Sequence, residues 1–162
     1  MELYQKAMDT ALSYLETRMR SRKEVTDRLR RGQFEPDVIE KVLERLSELK
    51  LIDDAEFAGR WVASRAKPES SRSIGKKRLQ NELIAKGISK EQVENAVERI
   101  TDDDELALAL KAAEKKARNR PADRDELFAQ RRKLAGFLQR RGFNWDICKK
   151  VIDRLLPAEE NY

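Results

Sequence analysis

A chain of 162 residues suffices for one ordinary domain or for a row of small units that share packing, and 40% hydrophobic against 40% charged residues leaves a thin core. The absence of histidine removes the commonest general base and metal ligand, and with them Ser-His and Cys-His catalytic arrangements and most zinc sites; a single cysteine, Cys148, excludes an internal disulfide. The net charge of +5 leans toward anionic partners. Six Gly and four Pro leave few breaks, and apolar residues recur at three- and four-residue spacing, which argues an all-α chain. No apolar run approaches the roughly 18 residues that span a bilayer, so a cytoplasmic protein without cofactors is expected.

In chain order, the pattern predicts a first helix at Tyr4–Arg18, then a second beginning at Ser21, with Glu24 closing a capping box and Gly32 ending it. Glu35-Pro36 starts a third helix, with proline at its first position. The sequence then repeats this plan: a helix at Asp54–Arg65, another from Ser73 to Gly87, and a third capped by Ser89 and Gln92. A last round runs from a helix at Asp103–Arg118 to one starting near Asp123 to Asp125 and ending at Gly142, then to a helix capped by Asn144. Ala66–Arg72 and Asn119–Asp125 are the softest stretches, and Pro157–Tyr162 is expected to fray.

The repetition holds residue by residue. Val25, Leu79 and Leu134 superpose at offsets of 54 and 55 residues, as do Leu29, Leu83 and Leu138, then the three glycines, then Phe34, Ile88 and Phe143. The following helices match at Ile39, Val93 and Cys148, at Val42, Ala96 and Val151, at Leu43, Val97 and Ile152, and at Leu46, Ile100 and Leu155. These steps of three and four trace one buried stripe. In the first helices, Phe57 and Ala58 align with Leu106 and Ala107, and Trp61 with Leu110. The first unit carries one extra residue, Gln33, beside its glycine. The expected architecture is three tandem three-helix repeats (1–52, 53–102 and 103–162) stacked in an elongated, curved array, since no single unit could bury its apolar face.

Charge is segregated. Residues 60–90 carry a net of +7, residues 111–141 again +7 and residues 17–31 +5, whereas 35–56 and 91–105 carry −5 and −6. Basic ridges recurring at repeat spacing suit a polyanion, because each cation near a phosphate releases a condensed counterion. The competing reading is that such clusters are solvated helix faces with i,i+4 pairs. The acidic third helices favour a partner bearing both signs, such as a protein–nucleic acid complex.

Asp53-Asp54 and Asp102-Asp103-Asp104 could pair for magnesium or acid/base work, but they stand at helix starts, where carboxylates cap free N–H groups. Phe57 and Trp61 read as core, Trp145 as the exposed aromatic, and Cys148 as a small apolar residue of a buried stripe. No assembly of residues forms an active site.

The run Leu51-Ile-Asp-Asp, Phe57-Ala, Trp61-Val62, Arg65, Gly75, Arg78-Leu79, Glu82-Leu83 and Lys86-Gly87-Ile88 resembles the signature of the RecX family of bacterial recombination regulators. The resemblance covers nearly the whole chain. It implies a non-enzymatic regulator that binds RecA and the RecA–single-stranded DNA filament and restrains filament extension, ATP hydrolysis, strand exchange and the co-protease activity behind the SOS response. A stand-alone nucleic-acid-binding architectural protein is the alternative. Contact candidates within the signature are Arg60, Arg65, Lys76, Lys77 and Lys86, joined by the other ridge residues Lys67, Arg72, Arg131, Arg132, Arg140 and Arg141. The link Ala66–Ser73 departs from the family pattern in containing Pro68 and Glu69.

Overall fold

The structure, a computed structural model, describes residues 1–70 and 72–158. Among the described residues it forms nine helices and no strand: α1 (Glu2–Glu16), α2 (Arg22–Arg31), α3 (Pro36–Glu48), α4 (Asp54–Arg65), α5 (Lys76–Ala85), α6 (Lys90–Glu98), α7 (Asp102–Ala113), α8 (Arg124–Arg140) and α9 (Trp145–Leu155). They form three successive three-helix repeats. The expected fraying of Pro157–Tyr162 falls largely outside the described residues.

Local chemistry sets the helix starts. Pro36 opens α3; Asp123 accepts from the Glu126 N–H at 2.8 Å to open α8, and Asn144 accepts from Ile147 N–H at 2.9 Å to open α9. Thr101 and Asp104 form a full capping box at α7, a signal the sequence reading passed over. At α2 the box is only half made. Ser21 Oγ accepts from Glu24 N–H, but the Glu24 carboxylate turns to Arg18 at 2.9 Å and Lys86 at 3.0 Å. At α6, Ser89 caps the Gln92 N–H while its hydroxyl donates to the Gln92 side-chain oxygen.

Two glycines end their helices in the left-handed region, Gly87 at φ +78° and Gly142 at φ +86°. Gly32 does not: it sits at φ −75°, and the left-handed position passes to the extra residue Gln33 at φ +62°. The inserted residue shifts the turn by one position. Ser73 is not a helix start either; its hydroxyl donates to the Lys67 carbonyl at 2.6 Å, closing the link, and α5 begins three residues later.

The second-helix and third-helix stripes are buried as the repeat requires except at the half-buried Ala96 and Leu155, with Leu29, Leu79, Leu83 and Leu138 fully enclosed. At the end of the last stripe Leu156 is the enclosed residue instead. The first-helix register needs correction. In α7 the buried apolar residues are Leu108, Ala109, Ala112 and Ala113, while Leu106 and Leu110 are half-buried and Ala107 is exposed. The partners of Phe57 and Ala58 are therefore Leu108 and Ala109.

Two compact units emerge from the packing. One comprises residues 1–61 and 83–96, the other residues 62–82 and 97–162. In the first, α1 lies on α2 and α3 around a core of Ala7, Met8, Ala11, Val25, Leu29, Ile39, Val42, Leu43, Leu46 and Ile52. In the second, α7, α8 and α9 enclose Leu127, Leu134, Leu138, Phe143, Ile147, Cys148, Val151 and Ile152.

Each compact unit contains one junction between neighbouring repeats. In the first, Asp54 of α4 accepts from Arg22 N–H at the start of α2 (2.8 Å), and Ser21 Oγ donates to the Lys86 carbonyl (2.7 Å). In the second, Glu105 of α7 accepts from Lys76 N–H at the start of α5 (3.2 Å), Gly75 N–H donates to the Arg141 carbonyl (2.7 Å), and Lys77 N–H donates to the Gly142 carbonyl (3.2 Å). The start of a second helix is thus capped by an acid from the next repeat's first helix and meets the end of the next second helix. This satisfies N–H groups that a helix start leaves without internal partners.

Candidate polyanion-binding surface

The eleven sequence-chosen cations divide unevenly. Arg60 and Lys86 belong to the first compact unit, and the other nine to the second. Several are held by acids of their own surroundings. Arg60 pairs with Glu56 at 2.8 Å, Arg65 lies 3.9 Å from Glu82, and Lys86 pairs with Glu24 while lying 5.3 Å above the Trp61 ring. Arg131 turns to the end of α9, donating to Asp153 at 2.7 Å and to the Leu156 carbonyl. Such i,i+4 and surface pairs are solvated-face contacts, each of modest energy.

Lys67, Arg72 and Lys77 are exposed, and Lys76 is half-buried at the capped start of α5. Arg141 donates to the Ser73 carbonyl at 3.3 Å. Burial first, and then the nearby Arg78 and Arg72 guanidiniums, lower its pKa below the usual arginine value. Arg78, one of those neighbours, itself pairs with Glu82 at 3.5 Å.

A cluster lies along α8. Arg132, Gly136 and Arg140 are spaced by four residues, and Lys133 and Phe137 form the adjacent row, so all five share one side of the helix. With Lys116, Gln130 and Leu134 they line a groove of about 390 Å³. Lys116 Nζ lies 5.2 Å, and the Arg141 guanidinium 4.9 Å, from the centre of the half-buried Phe137 ring. Among the described residues, none of Lys116, Arg132, Lys133 and Arg140 has a carboxylate partner. Of these four, the sequence reading named Arg132 and Arg140. Lys116 and Lys133 were missed, although the i,i+4 spacing around Gly136 was available as a signal.

The acidic candidates are structural. Asp53 accepts from Glu56 N–H at 3.1 Å and caps its own helix, whereas Asp54 caps α2 instead. Burial raises the pKa of Asp54 and of Glu105 above the usual carboxylate values, against the lowering effect of the Arg22 and Lys76 backbone N–H groups. Phe57 is buried and stacks on Trp61 at 5.7 Å, while Trp145 is 55% exposed. Cys148 is fully enclosed, and burial pushes its thiol up. No helix among the described residues is long and apolar enough to cross a membrane.

Sequence models of RecX describe the chain in three parts: its first three-helix domain matches residues 7–46, its second 53–97 and its third 102–152. The regulatory protein RecX of Chlorobium phaeobacteroides is 38% identical over 153 residues, covering 94% of this chain and 95% of that protein. The regulatory protein RecX of Prosthecochloris aestuarii is 36% identical over 93% of this chain and 94% of its own length. Against the longer regulatory protein RecX of Bacillus pumilus, 34% identical, the chain spans 57% of the relative. The crystal structure of RecX from Lactobacillus salivarius superposes with a TM-score of 0.82 at 30% identity, covering 95% of this chain and 97% of that one. With three-helix repeats in the same order and matches over nearly its full length, the chain belongs to the RecX family of regulatory proteins.

Proposed function

We propose that the protein is a non-enzymatic cytoplasmic regulator that binds the RecA recombinase and its filament on single-stranded DNA, inhibiting filament extension, ATP hydrolysis, strand exchange and co-protease activity. Family membership supports a regulatory role. The observation that carries the polyanion half of the reading is the gathering of nine of the eleven candidate cations in one compact unit. A ligand that binds a filament and blocks subunit addition shifts the balance toward disassembly without chemistry of its own. The test is the RecA ATPase rate on single-stranded DNA with substoichiometric protein. A fall in rate is expected; an unchanged rate at stoichiometric excess overturns the reading.

The four cations of the α8 groove, none with a carboxylate partner among the described residues, favour a second reading, a nucleic-acid-binding architectural protein that needs no protein partner. The two separate at fixed salt: the regulator binds RecA-coated DNA more tightly than bare single strands, and the architectural protein binds both alike.

A further inference from the structure

We infer that the groove beside Phe137 takes the phosphodiester backbone of a single nucleic-acid strand, and that the third repeat therefore contacts the strand directly. This rests on the nucleic-acid half of the proposed function.

Three acids of this part of the chain are committed elsewhere. Glu114 pairs with Lys111 at 3.4 Å, Asp123 caps α8, and Glu126 accepts from Ala122 N–H and Gln130. No carboxylate among the described residues is ion-paired to the groove cations, so they repel one another, a cost that an anion would relieve.

Arg132 and Arg140 stand in one row along α8. From Arg132 to Arg140 the helix rises about 12 Å at roughly 1.5 Å per residue, the span of three to four phosphates at about 3.4 Å each in a stacked strand. An isolated phosphate would need convergence on one point instead.

Gly136 stands in the middle of this row. A glycine inside a helix costs about 1 kcal/mol relative to alanine, and here a Cβ would lie 3.0 Å from an Arg140 guanidinium nitrogen. Its absence lets Arg140 lie across the helix at the groove. Because Lys116 and Arg141 already lie over the Phe137 ring, the site reads the backbone and not a stacked base.

The test measures binding of the full chain to a fluorescent 15-residue oligothymidylate by anisotropy between 50 and 200 mM salt. Replacing Arg132→Gln and Arg140→Gln together should lower the slope of log K against log salt by about 1.4, or roughly 0.7 per lost contact on a single strand. The ion-paired controls Lys6→Gln and Arg45→Gln, whose side chains pair with Glu2 and Glu48, should leave it nearly unchanged, and far-UV circular dichroism checks that every variant is folded. An unchanged slope in the groove variant, an equal fall in the controls, or no binding of the strand by the unmodified chain overturns the inference. Inorganic tripolyphosphate competing as strongly as the oligonucleotide would reassign the groove to a free polyphosphate, and displacement by a hepta-glutamate peptide to an acidic protein; either overturns the strand. RecA ATPase inhibition by the groove variant is read separately. Retained inhibition with a reduced slope upholds the groove and moves RecA contact elsewhere, whereas an unchanged slope with intact inhibition sinks the groove and leaves the regulator reading standing.

Discussion

The two repeat junctions share a plan, and the difference with the largest consequence stands at one aligned position. Ser21 in the first corresponds to Gly75 in the second, as Arg22 does to Lys76, Lys86 to Arg141 and Gly87 to Gly142. Where serine stands, a hydroxyl extends to the neighbouring carbonyl and also caps its own helix. Where glycine stands, the backbone N–H makes that bond directly, and a Cβ there would collide with the Gly142 carbonyl. The acids differ in the same sense: Asp54 is half-buried, while Glu105 is 1% exposed and one of its oxygens has no hydrogen-bond partner. One missing Cβ thus allows a close backbone approach at the second junction, whereas the first is held by side chains.

That contrast sets an order of effects. Gly75→Ala should be the most damaging, because backbone must separate from backbone: a loss of about 3 kcal/mol from overpacking and broken hydrogen bonds, read as a lower urea midpoint. Glu105→Ala strips the buried acceptor from the Lys76 N–H and should cost about 2 kcal/mol, against about 1 kcal/mol for Asp54→Ala at the more open junction. Equal losses would show that burial does not separate the two. Ser21→Ala removes a cap and leaves the Lys86 carbonyl without its donor, again about 1 kcal/mol.

The smallest effect is in pH. Burial raises the folded pKa of Glu105 above its ordinary 4.5, so the folded chain holds a proton that the unfolded chain gives up. Its contribution to stability is present below about pH 4.5 and is lost as pH rises through the folded value. Glu105→Gln keeps an acceptor for Lys76 N–H and cannot ionise. The variant's midpoint should therefore gain on that of the unmodified chain as pH is raised from 4.5 to 7. A gap that narrows instead would mean that the charged form is the one the helix start prefers.

Features built from neighbouring residues were legible in the sequence. Pro36, Asp123, Asn144 and the two left-handed glycines each act within a few positions of themselves. Gly32 misled because one inserted residue, Gln33, took over its conformation. The α7 register misled because Leu106, Leu108 and Leu110 alternate, and the alanines that pack inside carry a weak signal. The capping roles of Asp54 and Glu105 were out of reach for a different reason: their partners lie 32 and 29 residues away in sequence. In the groove, charge alone pointed to Arg131 and Arg132 together. Adjacent helical residues point about 100° apart, and Arg131 faces Asp153 while Arg132 faces the groove.

The burial of Cys148 gives the third repeat a built-in clock. Its thiol is fully enclosed, and the raised pKa keeps it protonated, so a thiolate-seeking reagent can modify the native chain only when the α7–α8–α9 core opens. The rate of modification under native conditions then measures how often that core breathes, and slowing by a bound oligonucleotide would report occupancy without an attached dye.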